Sequence, residues 1–448
     1  MLAHYPLRPG TLSDTPEASG DATPPTVRPT RQDAVMRILL WHGYLLGGTG
    51  SNVYTRMLAR EWSGSGHDVT VLSQEAHPER YDLGSATTVR PDVGGLLPVF
   101  VLDRYDGYDV RRVQDCSRAE LDGWVAANAS ALRSLLPADV VFTNHVLLGG
   151  PVGAATGVPF AVKAHGSELE YSMRGNAELS AWGAESLAAA RATFVGSEHI
   201  RTVLADVCGH TANVIEVPPG VDIDEWAPEP RDAALAGLID EARRDPPNTG
   251  NAEERLPDAD NAQRLESFLT TDRPTVVYFG KLIEQKGVHV LIDALAGLDA
   301  SLVVVGFGPE RPTLEQRAVD RGVEALFTGP LEHRHLRHLL ALAEACVVPS
   351  IFPEAFGMVA AEAAAAGVLP VVSAHSGLAE VAAGIGAEVG AETAELLSFP
   401  AGNAAALRER LAAILVLSPE RRGELGLAAR RAVEERWSWS VVAQQLLA

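Results

Sequence analysis

Three stretches decide the fold: Arg37-Ile-Leu-Leu-Trp-His42, Gly47-Gly-Thr-Gly-Ser-Asn52 and Asp68-Val-Thr-Val-Leu-Ser73. The first and third are short apolar runs with the length of buried strands, and the second is a glycine-rich turn. Between the turn and the third stretch, Val53, Met57, Leu58 and Trp62 recur at helical spacing, and Gly66 punctuates before the next strand. Strand, turn, helix and strand in that order make a βαβ unit. Such a unit implies parallel pairing, because parallel neighbours need a long crossover between them.

Outward from this unit the pattern continues. Buried strands read at 140–143, 160–164, 193–197 and 214–217, and a second series follows at 275–279, 302–305, 325–328, 346–349 and 369–373. Helical intervals separate the clearest of them, while 82–115 shows no clear period. Two consecutive series predict an α/β protein of two doubly wound, Rossmann-like domains facing across a crevice. Ligands in such sheets sit beyond the carboxyl ends of the strands. The plan is then a disordered tail at 1–35, rich in Pro, Thr, Asp and Ala, and an N-terminal domain at 36–222. A C-terminal domain follows at 223–436, with an acidic insertion at about 229–273, and a last helix at 437–448. The middle of the insertion, 245–260, reads as a mobile loop flanked by short helices. Met36 directly precedes the first strand and is an alternative start.

The chain has 448 residues, 46% of them hydrophobic and 21% charged, the composition of a soluble globular protein of two or three domains. Its formal net charge of −21 opposes a general affinity for nucleic acid or anionic membrane, so membrane contact is at most peripheral. Three widely spaced cysteines, Cys116, Cys208 and Cys346, make neither a disulfide framework nor a zinc site. With no signal-like start and no apolar run of membrane-spanning length, a cytoplasmic location is expected.

Four motifs carry chemistry. The first is Pro349-Ser-Ile-Phe-Pro-Glu354-Ala-Phe-Gly-Met-Val-Ala-Ala-Glu362, in which a strand ends, a loop presents Glu354, and a helix begins near Gly357. Glu354 sits where free N–H groups gather, and Glu362 lies about two turns further on a similar face. Two carboxylates so placed suit a ligand with many hydroxyls. Taken alone, they also fit a solvated helix with an acidic cap.

The second motif is Gly280-Lys281-Leu-Ile-Glu-Gln-Lys286-Gly287, directly after a strand. Its lysines can converge on a diphosphate at the helix start, or simply decorate a basic loop. The third is Gly47-Gly-Thr-Gly50, where Gly48 lets backbone approach a phosphate or sugar; a plain tight turn fits as well. The fourth is Lys163-Ala-His165-Gly-Ser-Glu168, a strand end from which His165 can reach the crevice. A structural histidine is the blander alternative. Asn144-His145 is a lesser candidate of the same kind. His333-Arg-His335-Leu-Arg-His338 has metal-like spacing, but no acid or cysteine completes the set, and it reads as a solvated helix start.

In this order, with Pro218-Pro-Gly-Val-Asp222 between the series, the motifs resemble the family-four retaining glycosyltransferases of the GT-B fold. The resemblance covers 36–448 and weakens through 227–273. Glu-x7-Glu followed by Gly367-Val-Leu-Pro-Val-Val-Ser is its most specific part.

The resemblance implies catalytic roles for His165, near the reacting carbon, and for Glu354, bonding donor sugar hydroxyls with help from backbone at Phe356 and Gly357. It implies that Glu362 holds ribose, that Lys281 and Lys286 neutralise the diphosphate in place of a metal, and that Gly48 touches the phosphates. No cofactor and no metal are implied. The partner is a nucleoside-diphosphate sugar, with uridine the commonest base in the family. The acceptor, whether small molecule, lipid-linked or glycan, is left open. Acceptor contacts are expected from 43–52, 89–115 and 168–178, where Arg104, Tyr105, Tyr108, Arg111, Arg112 and Tyr171 lie. The last helix is expected to return to the N-terminal domain.

Two departures concern the site. Lysine stands at 281 where the family commonly has arginine, which loses the bidentate fork. Ser376-Gly377 stands where a Gly-Gly pair is common. The alternative from another class is a non-catalytic nucleotide-sugar-binding protein of the same fold. A nicotinamide oxidoreductase is disfavoured because the glycine turn lacks its third glycine.

Overall fold

A computed structural model describes residues 34–101, 105, 107–246, 248 and 256–448. The tail expected at 1–35 falls outside the described residues but for its last two, and so do Arg104 and much of the insertion's middle.

In chain order the first strands are β1 (Arg37–Trp41), β2 (Asp68–Leu72), β3 (Thr87–Val89), β4 (Leu96–Val99), β5 (Asp109–Arg112), β6 (Val140–Asn144), β7 (Ala161–Lys163), β8 (Ala192–Val195) and β9 (Val214–Glu216). All but β4 and β5 form one parallel sheet ordered β3-β2-β1-β6-β7-β8-β9, while β4 and β5 pair with each other. A second parallel sheet has β10 (Thr275–Phe279), β11 (Ser301–Val305), β12 (Glu324–Phe327), β13 (Ala345–Val348), β14 (Pro370–Ser373) and β15 (Ser398–Phe399), in the order β12-β11-β10-β13-β14-β15. Both orders reverse beside their first strand, which is the doubly wound pattern. The reversals lie between β1 and β6 and between β10 and β13, and a ligand crevice belongs at each.

Helices cover both faces, so the central strands are largely apolar and buried. β10 and β11 are buried at every residue. The helix Gly50–Gly64 turns Tyr54, Met57, Leu58 and Trp62 onto the first sheet. In the unreadable region 82–115, β3 extends a sheet edge and β4–β5 make a small ribbon. Strands of three or four residues hold too few alternations to show a period.

The insertion is built into the second domain. Its helices Arg231–Arg243 and Asn261–Leu269 bury Leu238, Ile239, Leu265 and Leu269 in that core. Asp258, inside the segment expected to be mobile, accepts bonds from both Nη atoms of Arg311, at 2.8 and 2.6 Å. Such a bidentate clamp fixes the chain there.

The reading of 333–338 as solvated is also corrected. His335 and His338 are buried, with His335 Nε2 3.0 Å from Asp245 and His338 Nδ1 2.5 Å from Glu229. The insertion supplies these acids from far away in sequence, beyond the reach of local spacing.

The final helix, Trp439–Leu447, buries Trp439, Val442, Ala443 and Leu446 in the cluster that holds Ile38, Leu40, Trp62 and Phe142 of the first domain. Trp62 Nε1 donates to the Ala443 carbonyl at 2.9 Å. Beside it the chain crosses between domains twice, at 217–222 and at 437–438, and Val221 N–H donates to the Trp437 carbonyl at 2.7 Å. Trp439→Ala is expected to cost about 3–5 kcal/mol, the usual loss for an aromatic core residue. Urea denaturation checks this, and an unchanged midpoint would mean that the first core closes without the last helix. Among the described residues no helix is long and apolar enough to cross a membrane.

Candidate active site

The loops after β10 and β13 meet at the second reversal. Gly287 has φ 67°, and a Cβ there would lie 2.0 Å from the Pro349 carbonyl oxygen, so only glycine allows the approach. Ile351 N–H donates to the Gln285 carbonyl at 2.9 Å, joining the two loops. Lys286 Nζ thereby reaches Glu354 Oε1 at 2.5 Å, and Ser350 Oγ donates to the same oxygen at 2.5 Å. Lys281, expected to converge with Lys286 on a diphosphate, has an exposed side chain, and its carbonyl accepts from the Tyr278 hydroxyl at 2.8 Å.

A short relay fixes the backbone of Glu354. His375 Nε2–H donates to the Ser350 carbonyl at 2.8 Å, leaving Nδ1 to accept from the Ser376 hydroxyl at 2.9 Å. Ser376 Oγ in turn accepts from Glu354 N–H at 2.9 Å. Ser376 sits in the left-handed region, at φ 48°, where glycine is more comfortable. Its hydroxyl bonds offset that strain, and Gly377 is required because a Cβ there would meet Phe356 Cα at 2.4 Å. The Ser-Gly departure is thus a turn of this shape with an extra hydroxyl in use.

Glu362, on the helix Met358–Ala365, is 8% exposed. Burial pushes its carboxyl up to about 7, with His333 opposing and Glu225 adding. His333 Nδ1 lies 3.5 Å from Glu225, and its ring is 5.1 Å from that of Trp226. The Phe356 ring packs edge-on against Trp437 at 5.5 Å. Gly357, at φ 129°, caps the same helix.

In the first domain His165 follows β7. Asn144 Nδ2 donates to the Trp41 carbonyl at 3.2 Å, which turns Oδ1 toward His165 Nε2 at 2.7 Å. Oδ1 can only accept, so Nε2 carries the proton and Nδ1 is left as a lone pair. Burial holds His165 well below the ordinary histidine range, with His145, Lys163 and His42 adding, so the ring is neutral at neutral pH.

Glu168 is fully buried under this loop and accepts from the N–H groups of His165 at 2.9 Å and Val146 at 3.3 Å. Its other oxygen meets His145 Nδ1 at 3.3 Å. His145 itself is left-handed, at φ 71°, a strain that tends to collect at working sites. Gly48, at φ 91°, faces open space in a turn tied by Asn52, whose Nδ2 donates to the Gly47 carbonyl at 2.5 Å.

The two halves touch. A Cβ on Gly166 would lie 3.6 Å from Ala355 Cβ, and Ser197 Oγ donates to the Ala355 carbonyl at 2.5 Å. The structure therefore sets the His165 loop against the Glu354 loop, while Glu362 lies further along with His333, and Gly48 and Lys281 stay open. Sequence reasoning gave no role to Ser350 or His375, and noted Ser376 only as a departure from a Gly-Gly pair. The one available signal was their position at the carboxyl ends of β13 and β14. It also missed Glu168 as the residue under His165, although it lies in the same motif.

Comparison with known proteins agrees with this fold. The model of glycosyl transferases group 1 matches residues 260–431, and that of glycosyltransferase family 4 matches residues 48–225. A GDP-mannose-dependent alpha-(1-6)-phosphatidylinositol monomannoside mannosyltransferase of Mycobacterium tuberculosis (strain ATCC 25618 / H37Rv) is 29% identical over 267 residues. The match covers 57% of this chain and 60% of that one. The chain thus spans about three fifths of the length of the curated relatives that it matches first. The alpha-maltose-1-phosphate synthase of Mycolicibacterium smegmatis is 27% identical over 419 residues, 85% of this chain and 97% of that one.

Among solved structures, HepE of Anabaena in complex with UDP has a TM-score of 0.65 at 16% identity, covering 92% of this chain and 98% of that one. Sucrose-phosphate synthase from Thermosynechococcus elongatus has a TM-score of 0.60 at 21% identity, over 92% and 97% of the two chains. These two share the fold, a pair of Rossmann-like domains in the GT-B arrangement. With one family model on each sheet, and the loops of both sheets meeting at Ala355, the chain belongs to the group 1, family 4 glycosyltransferases.

Proposed function

We propose that the protein is a metal-independent retaining glycosyltransferase that moves a sugar from a nucleoside diphosphate to a hydroxyl acceptor. The observation that carries this reading is the meeting of Lys286 and Glu354 on one side of the crevice with the His165 loop on the other. The contact of Gly166 with Ala355 sets the loop that carries a cation and a carboxylate against the loop that carries a neutral imidazole. When the donor enters, Lys286 turns from Glu354 to the diphosphate and Glu354 turns to the sugar hydroxyls. Lys281, exposed beside them, adds a second positive charge, so the leaving group is neutralised by side chains. Glu362 takes the ribose hydroxyls.

The acceptor oxygen bonds to the anomeric carbon on the face that the diphosphate leaves. The carbon–oxygen bond to phosphate breaks, and the departing phosphate oxygen takes the acceptor proton. A neutral His165 places no cation against the positive charge that develops on the sugar, and its Nδ1 lone pair favours that charge.

Relatives dependent on GDP-mannose and a structural neighbour that binds UDP support a nucleoside-diphosphate sugar, with UDP and GDP sugars the donors to try first. The place of action in this reading is the cytoplasm, and the acceptor site lies among the N-terminal loops around Tyr105, Tyr108 and Tyr171.

A thermal-shift series with UDP, GDP, ADP and NAD tests the donor class. One nucleoside diphosphate at about 100 times its Kd is expected to add about 2.7 kcal/mol of stability. In Lys281→Ala/Lys286→Ala the same ligand should add almost nothing. Stabilisation by NAD alone would overturn the reading.

A further inference from the structure

Beside the two chain crossings, where a Cβ on Gly196 would lie 3.6 Å from Pro219, the domains are joined by a contact that the proposed chemistry does not use. The helix Glu198–Cys208 of the first domain starts with Ser197 as its N-cap, the side chain accepting from Ile200 N–H at 3.2 Å. That leaves the first N–H groups of the helix free to bind an acceptor from outside. Glu380, on the helix Ser376–Val389 of the second domain, supplies it. Its Oε2 accepts from Glu198 N–H at 3.0 Å and its Oε1 from His199 N–H at 3.1 Å. Both carboxylate oxygens are spent on the other domain, and a negative charge sits at the positive end of a helix.

The position of Glu380 gives this contact its meaning. It lies one turn after Ser376 on the same helix and so shares a face with it. Ser376 accepts from Glu354 N–H at 2.9 Å, and Gly377 N–H donates to the Glu354 carbonyl at 3.1 Å. The first turn of the helix therefore holds the backbone of Glu354 on both sides. Ser197, which caps the partner helix, also donates to the Ala355 carbonyl. Ile200 of that helix backs Gly166, where a Cβ would lie 3.1 Å from its Cδ1. One helix end thus touches Glu380, Ala355 and the loop of His165.

We infer that Glu380 is a positioning residue, a latch between the domains that holds the Glu354 loop in register with the His165 loop. It touches neither sugar nor phosphate. Its effect on transfer rests on the proposed function, whereas its effect on the spacing of the domains does not.

The experiment measures both. Spin labels are placed at Glu178→Cys and Val319→Cys, exposed positions on the two domains, in a Cys116→Ser/Cys208→Ser background. Pulsed electron resonance then reads the interdomain distance with and without UDP or GDP. Glu380→Ala is expected to broaden and lengthen the distribution, and to lower kcat by about 10- to 50-fold while donor KM changes less than about threefold, the scale of two lost charge-assisted bonds. Glu380→Gln, which keeps one acceptor oxygen, should recover most of both. A helix brace without this role would shift Tm but leave distances and kcat alone.

An unchanged distribution in Glu380→Ala overturns the inference. If no nucleotide sugar is turned over by the wild type, the functional reading fails while the distances still decide the latch. If Glu380→Ala does not fold, Glu380→Leu, which removes both acceptor oxygens and keeps much of the volume, carries the same comparison, with an unchanged distribution again decisive.

Discussion

Lys286→Met is expected to reduce kcat/KM for sugar transfer by about 10³-fold while leaving Tm nearly unchanged. In the proposed reaction the charge of Lys286 counts most when negative charge gathers on the leaving diphosphate, and loss of one such preorganised group costs about 3–4 kcal/mol of transition-state stabilisation. The resting protein loses little. Lys286 and Glu354 are 31% and 22% exposed, and a pair so open to water adds about 1 kcal/mol at most. Methionine keeps the stem that packs beside the loop. Ser350 Oγ still donates to Glu354 Oε1, so the carboxylate is not stranded. Initial-rate kinetics with the donor identified by thermal shift would check this. A loss confined to KM would mean that Lys286 only binds the donor, and a tenfold effect or less would move the phosphate role to Lys281.

The second large effect concerns stability. Lys163 is buried with its Nζ donating to the Val217 carbonyl at 2.5 Å, beside the ring of Tyr54. Burial lowers its pKa from 10.5 to about 7, against the pull of Glu216 and Glu168. Between about pH 7 and 10.5 the unfolded chain binds a proton that the folded one has released, so stability rises with pH across that window. Below about pH 7 the folded protein carries the whole cost of the buried charge, at most about 5 kcal/mol. Lys163→Met removes both the charge and one hydrogen bond. The variant should therefore be more stable at pH 6 by about 2–4 kcal/mol, with the gain shrinking toward zero by pH 10. Denaturant midpoints at four pH values would show it. A gain that ignores pH would trace to packing and not to charge. Activity should fall in the same variant, because Lys163, the last residue of the strand before His165, is tied to the first residue of the interdomain crossing.

The architecture was legible because parallel strands covered on both faces read as unbroken apolar runs, as at Thr275–Phe279 and Ser301–Val305. A strand such as Leu96–Val99 was not, because its partner β5 is as short and no helix-covered run marks either one. Strand ends also told where chemistry-bearing side chains gather, since His165, Lys286 and Glu354 all follow strands. What lies around them did not show. The partners of His335 and His338 come from about a hundred residues away, and no local period records such a distance. The hydroxyl of Ser376 looked like a flaw in a glycine pair until the carboxyl loop stood beside it. Glu168 looked like one more loop acid, and only the fold places its oxygens under three different groups.

The two crossings at 217–222 and 437–438 have a mechanical consequence. A single linker is a swivel and lets one body bend, roll and twist against the other. Here two strands of chain run side by side and are pinned together by the bond from Val221 to Trp437, so twisting would have to stretch one against the other. The arrangement behaves like the paired knuckles of a door, stiff to rotation about its own length and soft about one axis across it. In the proposed reaction, motion about that axis would part the loops of His165 and Glu354 and return them to the same register, so that a donor could enter without the site having to find its alignment again.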